Sequence, residues 1–82
     1  MIIGYKIKLD TIEKVKKFTS IVDKFVNEIY LISNRYIIDA KSIMGIFSLD
    51  LTKPLEVIIR DATMRDTTRL QELLEEFRVD EI

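Results

Sequence analysis

The chain has 82 residues, 48% of them apolar, and a formal net charge of −1. That length and apolar content suit one domain with one core and exclude a disordered chain, while the small net charge excludes a strong field drawing it to nucleic acid. It contains no cysteine and no histidine, which excludes disulfides, thiolate nucleophiles and the usual zinc ligands.

Ile3, Tyr5, Ile7 and Leu9 alternate with Lys6 and Lys8. This period of two predicts a strand over residues 3–9 with one buried face. Asp10 or Thr11 then opens a helix, and Asp10 with Glu13 has the spacing of a capping box. Ile12, Val15, Thr19, Val22 and Val26 recur at helical spacing, joined by Phe18, Ile21 and Phe25, and Asn27 can end the helix. Residues 29–32 and 36–38 are β-rich runs separated by Ser33-Asn34-Arg35, which predicts a hairpin because Asn tolerates positive φ. Ser42 is placed to cap a short helix through Ile43-Met44-Gly45-Ile46-Phe47. Pro54 precedes a further β-rich run over residues 55–59, where its missing N–H lies outside the ladder. Thr63 can cap a last helix over residues 63–78, with Asp66 near its positive end and Leu70, Leu73, Leu74 and Phe77 on one face. Glu75 and Glu76 would oppose the dipole at the end of such a helix, and no stability reason for them is visible in the sequence.

The order strand, helix, strand, strand, short helix, strand, helix places two main helices over one face of a four-stranded sheet, one α+β domain over residues 1–82. A domain this short buries only about 60% of its unfolded surface, so modest stability is expected. Residues 1–24 carry six lysines against three acids, and residues 66–82 carry six acids against two arginines. Two solvated faces account for this asymmetry. No apolar run approaches the ~20 residues that span a bilayer, and the first residues lack the layout of a signal peptide, so a cytoplasmic protein with no membrane role is expected. Tyr5, Tyr30 and Tyr36 fall on strands as core and rim aromatics rather than as a base-stacking platform.

Lys41-Ser42-Ile43-Met44-Gly45-Ile46-Phe47-Ser48-Leu49 resembles the regulatory-serine segment of the HPr phosphocarrier family, which has K-S-I-M-G-[VI]-[ML]-S-L in the same element order. The likeness runs over residues 24–60 without gaps, and residues 61–82 follow in pattern only. It implies an HPr-like open-faced sandwich with an antiparallel four-stranded sheet. Phosphocarriers also have G-[IL]-H-A-R-P-A at the start of the first helix. Here Thr11 falls at the phosphorylated histidine, and Ile12, Glu13, Lys14 and Val15 fall where A-R-P-A belongs.

The chemistry at that position is therefore gone. Phosphohistidine is a reactive phosphoramidate, whereas a phosphothreonine at Thr11 would be a stable ester. The arginine supplies charge and donors to a phosphoryl group, and Glu13 would repel one. A phosphohistidine carrier is excluded. Asp10 offers only an acyl phosphate as an alternative to helix capping.

In Gram-positive members of the family the serine at Ser42 is phosphorylated by a dedicated kinase, and the product binds a transcriptional regulator. The resemblance thus implies Ser42 as a regulatory phosphosite, against a plain helix cap. It implies Ile43, Met44 and Phe47 as a docking patch for protein partners, against partial burial in the core. Thr11, Glu13 and Lys14, with Lys17, mark the degenerate active-site rim, against a solvated helix start. The expected function is a regulatory or protein-binding module. The alternatives are a diverged phosphotransferase-system component acting as competitor or scaffold, and an oligomerising structural domain. No nucleophile and base pair suggests an enzyme, and no metal or cofactor is implied.

Overall fold

The computed structural model describes residues 5–79. In chain order they form β1 (Tyr5–Ile7), α1 (Ile12–Val22), β2 (Ile29–Ser33), β3 (Tyr36–Asp39), α2 (Ile43–Phe47), β4 (Leu55–Ile59) and α3 (Met64–Leu73), then a 3₁₀ turn at Glu75–Phe77. The strands make one antiparallel sheet in the order β1-β4-β2-β3. The helices cover one face, giving the α+β open-faced sandwich with HPr-like topology.

The period of two does the sorting. Tyr5 and Ile7, Ile29 and Leu31, and Leu55, Val57 and Ile59 are buried beneath the helices. Lys6, Tyr30, Ile32, Glu56 and Ile58 point to the open side and are partly exposed. From above, α1 contributes Val15, Phe18, Ile21 and Val22, and the C-terminal segment contributes Leu70, Leu74 and Phe77. Phe18 and Phe77 meet edge to face, with centroids 6.5 Å apart at 79°. Each fully buried side chain of this size contributes about 1.5–3 kcal/mol of burial.

Several boundaries differ from the sequence expectation. The first strand spans Tyr5–Ile7 rather than residues 3–9; Ile3 lies outside the described residues, and Leu9 is buried without being in the strand. Thr11, not Asp10, caps α1: its Oγ1 accepts the Lys14 N–H at 3.1 Å, and Asp10 instead takes the Lys14 ammonium at 2.9 Å. The helix stops at Val22 because the amides of Lys24 and Phe25 turn to the carbonyls of Ile21 and Val22, at 3.1 Å each, and tighten the chain. Phe25 still reaches the core, but Val26 swings fully into solvent at 100% exposure. Asn27 does not end the helix; its side-chain amide donates to the carbonyls of Arg60 and Asp61 at 3.2 and 3.3 Å. In the hairpin Ser33 belongs to β2, and the turn shrinks to Asn34-Arg35 with Asn34 at φ 56°.

The last helix also ends early. A capping box between Thr63 and Asp66 opens it as expected, but it stops at Leu73. Arg78 is extended and bridges Ile7 antiparallel. Lys8 N–H donates to the Phe77 carbonyl at 2.9 Å, and Val79 N–H donates to the Lys6 carbonyl at 3.0 Å. The outer edge of β1 carries backbone groups that need partners, and this segment supplies them. The break also explains the two glutamates. Glu76 pairs with Lys17 at 3.0 Å. Glu75 accepts the Tyr5 hydroxyl at 3.2 Å and pairs with Arg78 at 3.6 Å.

Candidate functional site

The serine segment forms as the residue types dictate. Ser42 adopts an extended conformation, φ −95° and ψ 101°, and its Oγ accepts the Gly45 N–H at 3.1 Å. The preceding turn is held by Asp39, whose carboxylate accepts the Lys41 N–H at 2.8 Å and whose carbonyl accepts the Ser42 N–H at 3.0 Å. Lys41 extends its ammonium to the Phe25 carbonyl, tying this turn to the segment after α1. Gly45 is a close approach: a Cβ there would lie 3.2 Å from Ser42 Oγ and 3.6 Å from Ile38 Cδ1. Ser48 closes the helix by donating to the Gly45 carbonyl at 2.6 Å.

Ile46 is the residue of α2 that enters the core, at 0% exposure. The three residues named from the sequence lie outside it: Ile43 is 38% exposed, Met44 80% and Phe47 44%. Ser42 is exposed beside them. One short helix thus presents a hydroxyl and three apolar side chains to solvent.

The start of α1 carries the other residues named from the sequence. Thr11 and Glu13 are exposed and Lys14 is half-buried. The Thr11 hydroxyl oxygen is occupied as the helix cap. The Lys14 ammonium is paired with Asp10, and its hydrogen bond holds that carboxyl below the ordinary carboxylate range. Lys17 is committed to Glu76. Both lysines are thus tied to carboxylates, and Glu13 adds a further negative charge beside them. No hydrogen bond or ion pair joins this set to the serine segment among the described residues.

Sequence reasoning missed a cleft of about 330 Å³ between the hairpin tip and the end of α2, lined by Asn34, Tyr36, Ile38, Ser48, Leu49 and Asp50. Its walls come from segments that meet only once β3 has paired, so no local spacing announces it. Asp50 is held below the ordinary carboxylate range by hydrogen bonds from the Thr52 hydroxyl and backbone. Among the described residues no helix is long and apolar enough to cross a membrane.

No known family profile matches the chain. No curated protein matches it either. Among solved structures it is similar to Crh, the Bacillus subtilis catabolite repression containing protein, whose crystal structure is described as a dimer with a swapped domain. The identity is 19%, the TM-score 0.63, and the match covers 98% of this chain and 94% of Crh. Over nearly its whole length, then, this chain has the fold of Crh.

Proposed function

We propose that residues 1–82 form one HPr-like regulatory module of the cytoplasm that docks a protein partner through Ile43, Met44 and Phe47 and is tuned by phosphorylation of Ser42. The observation that carries this is the pairing of an exposed cap hydroxyl with three exposed apolar side chains on α2. A phosphate on Ser42 adds close to two negative charges directly beside the apolar contacts and changes which partner surface is complementary. Met44, the most exposed of the three, adapts its shape to a partner. The first turn of α1 takes no part in phosphate transfer: the histidine position is Thr11, and Glu13 and the paired Lys14 give no cationic cradle. Partners of the matching chemistry are a serine-directed kinase, a transcriptional regulator, or phosphotransferase-system proteins toward which the chain acts as competitor or scaffold.

The test incubates the chain with ATP and an HPr-type serine kinase and reads intact mass. Gain of one phosphate, lost in Ser42→Ala, is the expected result. No gain in the wild type sinks the regulatory part. An acid-labile phosphate acquired from enzyme I and phosphoenolpyruvate would contradict the exclusion of carrier function. The alternative of an oligomerising domain is favoured by the likeness to Crh and its swapped dimer.

A further inference from the structure

The two edges of the sheet differ. The outer edge of β1 is closed by the residues around Arg78. The outer edge of β3 has no strand beside it among the described residues. The edge residues are Arg35, Tyr36, Ile37, Ile38 and Asp39, with Tyr36 64% and Ile37 65% exposed. The edge carries no lysine, proline or bulge, and its two charges, Arg35 and Asp39, stand at its ends.

The backbone is set up for pairing. The turn of β2 and β3 has two residues, so Ser33 and Tyr36 form its hydrogen-bonded closing pair. Bonding alternates from there: Tyr36 and Ile38 aim their N–H and C=O at β2, and Ile37 and Asp39 aim theirs outward. The side chains of Ile37 and Asp39 lie on the open face, where Ile37 neighbours Ile32 across the ladder.

We propose that β3 pairs antiparallel with β3 of a second copy, about a twofold axis through Ile37, joining the two four-stranded sheets edge to edge. The charges favour this register. With Ile37 opposite itself, Arg35 of each copy faces Asp39 of the other, so the strand is complementary to its own reverse. Arg35 has no ion pair among the described residues. Asp39 accepts one backbone N–H through Oδ1, which leaves Oδ2 for a guanidinium. Ile37 exchanges both backbone bonds with its counterpart, and the Asp39 N–H reaches the Arg35 carbonyl of the second copy. On the open face Ile32 and Ile37 of the two copies run together as one apolar stripe. A shift by one residue would put Ile37 against Tyr36 or Ile38 on the wrong face and unpair both charges. Four residues make a short interface, so the dimer is weak and concentration-dependent. It stands independently of the Ser42 proposal.

Sedimentation velocity of the whole chain, from micromolar to millimolar, tests it. The expected result is a mass rising from 9.7 kDa toward twice that value. Arg35→Asp sets like charges opposite at both ends and Ile37→Lys sets lysine against lysine, and each holds the monomer mass throughout. The exchange Arg35→Asp with Asp39→Arg restores the dimer, because each pair is rebuilt in reverse. A wild type that stays at the monomer mass overturns the proposal, as does a dimer that survives Ile37→Lys, which would place the contact elsewhere. Amide hydrogen exchange on the unmodified chain provides a readout that no substitution can confound. Ile37 and Asp39 gain protection as concentration rises, and a gain confined to other strands overturns the assignment.

Discussion

Replacing Tyr5 by phenylalanine removes one oxygen and tests how the sheet is fastened to the end of α3. The Tyr5 ring is buried, and its hydroxyl donates to the Gln71 carbonyl at 3.0 Å and to the Glu75 carboxylate at 3.2 Å. At neutral pH the loss should cost about 1–2 kcal/mol, since one acceptor is charged but stands near solvent. Burial, and then the Glu75 charge and hydrogen bond, push the Tyr5 hydroxyl up to about 12 from an ordinary value of 10.0. A group raised on folding stabilises fully below its unfolded value and loses that contribution as pH climbs to the folded one. The window is therefore pH 10 to about 12, with a slope of at most about 1.4 kcal/mol per pH unit. The wild-type advantage should shrink above pH 10 and reach zero near pH ~11, by the same slope. Urea unfolding of both proteins from pH 8 upward measures it, and the lysines cancel in the difference because both proteins carry them. A stability difference that is flat across the window would refute the reasoning.

Other perturbations have equally definite outcomes. Thr63→Ala removes the Asp66 N–H acceptor and half of the capping box, and should lower stability by about 1 kcal/mol in urea melts. Gly45→Ala should fail to yield the usual helix gain of ~1 kcal/mol, since the new methyl presses on Ser42 Oγ. In the Ser42→Ala background the same change should stabilise, and a double-mutant cycle reads that coupling directly. Val26→Asp should move stability by less than ~0.5 kcal/mol, because the side chain is fully exposed; a larger loss would return Val26 to the helix stripe. Phe18→Ala should cost about 3–5 kcal/mol and leave much of the chain without near-ultraviolet dichroism at 37 °C, as the T-shaped pair with Phe77 is lost.

Local pattern was enough for the elements and for the serine segment. The first strand announces itself by alternation and the other three as β-rich runs, and the two main helices by an apolar stripe behind a cap. Thr63, Ser42 and Asn34 act as their side-chain chemistry requires. The errors lie where a partner distant in sequence decides. Val26 fits the helical period but leaves the helix, because the amides of Lys24 and Phe25 find closer carbonyls. Glu75 and Glu76 look misplaced until Tyr5, Lys17 and Arg78 arrive beside them. Ile43 and Phe47 could not be divided from Ile46 by type alone, since all three are apolar and the sheet beneath receives only one.

By itself the amino-acid sequence determined that no imidazole is present to carry phosphate, that one apolar core exists, and that a serine caps a short apolar helix. Those properties depend on residue type and on spacing within a turn or two. The tertiary structure alone decided the strand order, the closing of the β1 edge by Arg78 and the openness of the β3 edge. Backbone N–H and C=O groups are alike at every residue, so which of them pair depends on which segments the packed core brings together.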